Sequence, residues 1–105
     1  MDEYTIEVTT FSQSEKPWEF QFHAKIDTGA KRTSIDEKLA EILQLESVGE
    51  VKVSNAMGKQ ERPLVKIKII HDEKEYELEA SITNRSKLSY PMIVGMDFLK
   101  MWKSN

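Results

Sequence analysis

A chain of 105 residues with a net charge of −3 has room for one domain, which at this size buries roughly 60 to 70 per cent of its unfolded surface. It carries no cysteine, which excludes disulfides and thiolate metal sites and leans the expectation toward a cytoplasmic protein. Acids and bases are interspersed, with no basic stripe for a phosphate backbone, and no run nears the roughly 20 apolar residues of a membrane span. Neither nucleic acid nor membrane is an expected partner.

Thr5-Ile6-Glu7-Val8-Thr9 and Trp18-Glu19-Phe20-Gln21-Phe22 alternate apolar and polar residues at period two, the pattern of half-buried strands. The polar segment between them reads as a loop or hairpin. Ala24-Lys25-Ile26 forms a short strand running into the turn Asp27-Thr28-Gly29-Ala30. Ser34 is placed to cap a helix over residues 35–45, with Asp36 and Glu37 in its first turn and Ile35, Leu39, Ile42 and Leu43 at helical spacing.

Glu50-Val51-Lys52-Val53-Ser54 and Leu64-Val65-Lys66-Ile67-Lys68-Ile69 alternate again and flank Asn55-Ala56-Met57-Gly58-Lys59, where Gly58 suits positive φ at a hairpin tip. The turn His71-Asp72-Glu73-Lys74 precedes a strand from Tyr76 to Ile82. Tyr90-Pro91-Met92-Ile93-Val94-Gly95 is a short, nearly continuous apolar run suited to a buried strand, and a terminal helix follows from Met96 to Trp102. The sum is an all-β domain of about six strands with one or two short helices.

Two segments stand out together, Ile26-Asp27-Thr28-Gly29-Ala30 and Ile93-Val94-Gly95-Met96-Asp97-Phe98-Leu99. They resemble the paired signature elements of the retropepsin-like aspartic proteases. Lys25 to Lys31, Glu61-Arg62-Pro63, Thr83-Asn84-Arg85-Ser86 and Tyr90 to Gly95 narrow the resemblance to the family named ATP-dependent zinc proteases, retropepsin-like and associated with ATP-grasp ligases. The similarity runs from about residue 18 onward.

The resemblance implies a small closed barrel of acid-protease type filling residues 1–105, and a homodimeric endopeptidase acting on a peptide or protein substrate. General-base activation of water opposite a second carboxyl that protonates the carbonyl requires two acids close enough to share one proton. One Asp-Thr-Gly per chain supplies half of that pair, so a two-fold axis must supply the other. Asp27 would be the catalytic carboxylate, Thr28 would bond across the axis, and Gly29 would let its N–H approach the carboxylate. Ile93, Val94 and Gly95 would support the loop from beneath, where any side chain at Gly95 would meet neighbouring backbone.

By the same resemblance, Ala30 and the flap-like hairpin with Asn55, Ala56, Met57 and Gly58 would contact substrate. Arg62 and Arg85 match family positions, where they would meet substrate carboxylates or an acidic cleft, or stand solvated at strand ends. Asp97 would be structural, capping the terminal helix or pairing with a basic residue. With only His23 and His71, and no ligand spacing or phosphate loop, no metal or other cofactor is expected. The alternative reading keeps the fold without hydrolysis, as a dimeric peptide-binding or adaptor domain partnered with an ATP-grasp ligase.

Overall fold

Period-two alternation builds most of this molecule, whose computed structural model describes residues 4–55, 58–84 and 90–104. Strand β1 (Thr5–Phe11) buries Ile6, Val8 and Thr10 on one face, and β2 (Glu19–Ile26) pairs with it antiparallel from Phe11↔Glu19 to Thr5↔Lys25. A short β3 (Ser34–Asp36) leads into helix α1 (Glu37–Ile42). Then come β4 (Glu46–Asn55), β5 (Gly58–His71), β6 (Lys74–Thr83), β7 (Met92–Val94) and helix α2 (Met96–Lys103).

The sheet order is β1-β2-β7-β3-β6-β5-β4, and a further pairing of β1 with β5, Thr9↔Ile70 and Thr10↔Ile69, closes all but β4 into a barrel. At that seam the buried Thr10 hydroxyl donates to the Lys68 carbonyl at 2.7 Å. A polar side chain at a barrel junction is thereby satisfied. Closure leaves β4 as the outlying strand, paired among the described residues with β5 alone.

The core gathers the inward residues of every strand, among them Val8, Ile35, Ile67, Ile69, Met92 and Val94, with Phe98 of α2 as a lid. Phe98 is fully buried, packs edge-on to Tyr76 at 5.0 Å between ring centroids, and contributes on the order of 2–3 kcal/mol by burial. On β5 and β6 the outward positions carry opposite charges. Lys66 reaches Glu77 at 3.1 Å and Lys68 reaches Glu75 at 3.8 Å, diagonal pairs across the ladder.

Several expected elements are longer than the local pattern suggests. Ala24, Lys25 and Ile26 continue β2 rather than forming a separate strand, and the hairpin β4–β5 runs in register from Glu46↔Lys66 to Asn55↔Gly58 with an irregularity at Ser47/Gly49. Gly58 has φ 114°, as its place at the hairpin predicts, and Asp72 and Glu73 take positive φ in the two-residue turn between His71 and Lys74.

The expected helix over 35–45 is corrected at both ends. Ser34 and Ile35 lie in β3, paired with Ser81 and Ile82 of β6 and with Ile93 and Met92 of β7. The cap is Asp36, whose carboxylate accepts the Lys38 N–H at 3.0 Å, and the helix stops at Ile42 before Gln44 turns left-handed at φ 54°. Two sheet neighbours from distant sequence outbid the helical spacing of Ile35.

Candidate active site

Parallel pairing of β2 with β7, Lys25↔Ile93 and Ile26↔Val94, brings the end of one motif beside the other. The chain leaves β2 at Asp27, whose N–H donates to the Val94 carbonyl at 3.0 Å, extending that ladder by one bond. The Ala30 N–H then donates to the Asp27 carbonyl at 3.2 Å and closes a turn. Inside it the Gly29 N–H donates to Asp27 Oδ1 at 2.9 Å. A Cβ on Gly29 would sit 3.3 Å from that same oxygen, so glycine is what allows this approach.

The loop is locked from the other side by the start of α2. The Met96 N–H donates to the Ala30 carbonyl at 2.8 Å and the Asp97 N–H to the Lys31 carbonyl at 3.2 Å, so donors left over at the helix terminus fasten the loop. Gly95 makes the approach possible. A Cβ there would lie 2.6 Å from the Ala30 oxygen and 3.0 Å from the Arg32 carbonyl carbon and oxygen.

Beneath lies a polar knot. Thr33, fully buried, donates its N–H to both Asp97 carboxylate oxygens at 3.0 Å and its hydroxyl to Oδ1 at 2.8 Å. The Gly95 N–H donates to the Thr33 hydroxyl at 3.2 Å, the Phe98 N–H to Asp97 Oδ1 at 2.8 Å, and the Ser81 N–H to the Thr33 carbonyl at 3.0 Å. Asp97 is therefore structural, but by a route other than the expected ones. Gly95 occupies the cap position of α2, and the partner of Asp97 is a threonine rather than a basic side chain.

Above the loop opens a cleft of about 710 Å³. Its floor is Asp27, Gly29 and Ala30 with Lys31, Arg32 and Ser34 beyond them, its far wall is residues 51–54 of β4, and Arg62 of β5, Ser81 and Ile93 also line it. Asp27 is half-buried here, while Thr28 and Gly29 are exposed. A carboxylate positioned by a backbone donor and open to a cleft can take a proton from water.

Of the residues singled out by sequence, Asp27, Gly29, Ala30, Arg62 and Ile93 line this cleft, and Val94 and Gly95 lie beneath the loop. Gly58 is outside the lining, at the start of β5. Ala56, Met57 and Arg85 fall outside the described residues, as does the side chain of Asn55. Sequence reasoning did not place Thr33, or the cleft residues Lys31, Arg32, Ser34, Ser81 and 51–54, in the site. The only local signal was their closeness to Asp27 or to the alternation of β4 and β6.

Among the described residues the donor set does not fit a zinc ion. Among the described residues no three histidine, cysteine or carboxylate side chains cluster to hold a metal. His23 and His71 both face Glu7, at 3.9 Å from its carboxylate and 2.8 Å from its carbonyl, and neither lines the cleft. Among the described residues no helix is long and apolar enough to cross a membrane.

Comparison with known proteins agrees with this geometry. A family model described as "gag-polyprotein putative aspartyl protease" matches residues 3–101. Among solved structures, the EIAV protease complexed with the inhibitor HBY-793 superposes with a TM-score of 0.72 at 13% identity, covering 97% of this chain and 89% of that one. The solution structure of simian foamy virus (mac) protease gives 0.66 at 12% identity, with 97% and 98% covered. A Legionella pneumophila protein of unknown function gives 0.61 at 20% identity, with 96% and 87% covered. These similarities show a shared fold. No curated protein matches the sequence.

Proposed function

The chain belongs to the gag-polyprotein aspartyl protease family, retropepsin-like in type, and from that premise we propose a homodimeric endopeptidase whose two Asp27 carboxyls form one active site. The observation that carries this reading is the single Asp27-Thr28-Gly29 loop, held by backbone hydrogen bonds and opening its carboxyl to the cleft. Retropepsin-like proteases act as dimers on peptide substrates. A lone carboxylate can accept a proton from water but leaves nothing to protonate the carbonyl oxygen of the peptide bond.

In the dimer, one Asp27 carboxylate removes a proton from a bound water as its oxygen attacks the peptide carbonyl carbon. The other, protonated, gives its proton to the carbonyl oxygen. Collapse of the tetrahedral species breaks the C–N bond, and a proton passes to the leaving amine from the acid that received it. The Gly29 N–H would stabilise the ionised member, Thr28 would bond to its counterpart across the axis, and the β4–β5 hairpin would close over substrate. Arg62, and by the same reading Arg85, would contact substrate.

The test is cleavage of an unstructured protein at acidic to neutral pH. Asp27→Asn keeps the oxygen that receives the Gly29 N–H and should lower kcat/KM by about 10³-fold without unfolding the chain. Unchanged cleavage would remove Asp27 from the mechanism. A wild-type chain that dimerises and binds peptides without cutting them would support the alternative, an adaptor for an ATP-grasp ligase. Sedimentation supplies the other half, because a strict monomer at high concentration leaves one carboxyl per site.

A further inference from the structure

The charge around Asp27 runs against the charge of the whole chain. The protein carries a net charge of −3, yet its cleft is lined by Lys31, Arg32, Lys52 and Arg62, with Asp27 as the sole carboxylate among the described lining residues. Three separate segments supply these cations. Lys31 and Arg32 follow the loop, Lys52 lies on the far wall, and Arg62 faces Val51 across the ladder.

None of the four forms an ion pair among the described residues. Arg32 donates only a long 3.5 Å bond to the Glu79 carbonyl, and Arg62 gives its Nε and one terminal nitrogen to the neutral Gln60 side chain at 3.3 Å. Glu61 is opposite Lys52 in the register, and Glu37 and Glu61 line an adjoining concavity beyond Arg62, yet neither pairs with these cations. The outer concavity of about 480 Å³ makes the contrast. There Lys66 and Lys68 are neutralised by Glu77 and Glu75, and the hydrogen bond and charge of Glu77 hold Lys66 above the usual lysine range.

We propose that this cleft selects acidic peptide segments, with Lys31, Arg32, Lys52 and Arg62 receiving aspartate or glutamate side chains on either side of the residues held at Asp27. The proposal rests on the peptidase reading for its substrate and names that substrate's class. Cations lining a concave, partly desolvated site focus field lines on an anionic ligand and speed its capture. A two-fold axis through the site would repeat the cations at both ends of an extended peptide, leaving the centre to apolar Val51, Val53 and Ile93. A lysine-rich peptide meets like charge instead, which disfavours the wrong partner.

The test uses the full chain and three labelled, unstructured peptides with one apolar centre, flanked by glutamate, glutamine or lysine. At low salt the glutamate peptide should be cleaved with a kcat/KM about tenfold above the glutamine peptide, and the lysine peptide should be worst. The advantage should shrink as salt screens it. Lys31→Glu combined with Lys52→Glu changes two exposed side chains and should erase or reverse the order.

Binding of the same peptides, read by fluorescence anisotropy, separates the two claims. Glutamate-selective binding that the double variant loses, without cleavage, upholds acidic recognition while the peptidase reading falls. Cleavage or binding that ignores the flanking charge overturns the proposal, as does a glutamate preference that survives in the double variant. In the cleavage case the peptidase reading remains.

Discussion

The loop 27–30 and the strand segment 51–54 face each other across one cleft but are held in different ways. The loop is gripped by β7 through Val94, by α2 through Met96 and Asp97, and by its own Gly29–Asp27 bond, over the buried Thr33–Asp97 knot. Among the described residues the segment pairs with β5 alone, with Val51 and Val53 half-buried and Lys52 and Ser54 exposed. Chemistry needs a carboxylate fixed within fractions of an ångström, whereas admitting an extended peptide needs a wall that can yield. The fold places many crossing bonds on the first and a single ladder on the second.

Breaking the grip should show the largest effect. Gly95→Ala pushes a methyl into the Ala30 and Arg32 backbone, which cannot swing aside as a long side chain can, and should destabilise the fold by about 2–3 kcal/mol in denaturant melts. Asp97→Ala leaves the buried Thr33 N–H and hydroxyl and the Phe98 N–H without their acceptor, and should cost about 2 kcal/mol. Asp97→Asn keeps one acceptor oxygen and should recover part of that loss, a graded result that simple loss of packing would not give.

The opposite wall should respond more weakly. Val53→Ala removes two methyl groups from a half-buried edge position and should change stability by no more than about 1 kcal/mol. Its effect should appear in KM rather than in the melt. A Val53→Ala loss as large as that of Gly95→Ala would erase the distinction between the two sides of the cleft.

What the sequence disclosed follows the same division. Asp27-Thr28-Gly29 and Gly95 were legible because each leaves a fixed letter in the chain: Gly29 approaches the neighbouring Asp27 carboxylate, and at Gly95 the distant Ala30 backbone passes within 2.6 Å of a would-be Cβ. The β4–β5 hairpin was legible from alternation and Gly58. Thr33 was not, since a threonine followed by serine looks like any polar loop until Asp97, 64 residues away, arrives to bury it. Ile35 misled for a related reason. Its spacing with Leu39 and Ile42 suits a helix, but Ile42 is 57% exposed and Ile35 is fully buried between β6 and β7. The cationic lining was hidden because it is assembled from three stretches, each unremarkable alone.

Mixing wild-type chains with Asp27→Asn chains, after full subunit exchange at fixed total concentration, reads the pairing of the carboxyls directly. If each active site needs an Asp27 from both copies, peptidase activity falls as the square of the wild-type fraction. Activity that falls in simple proportion to that fraction would mean that each chain cuts with its own carboxylate, and the shared site would be wrong.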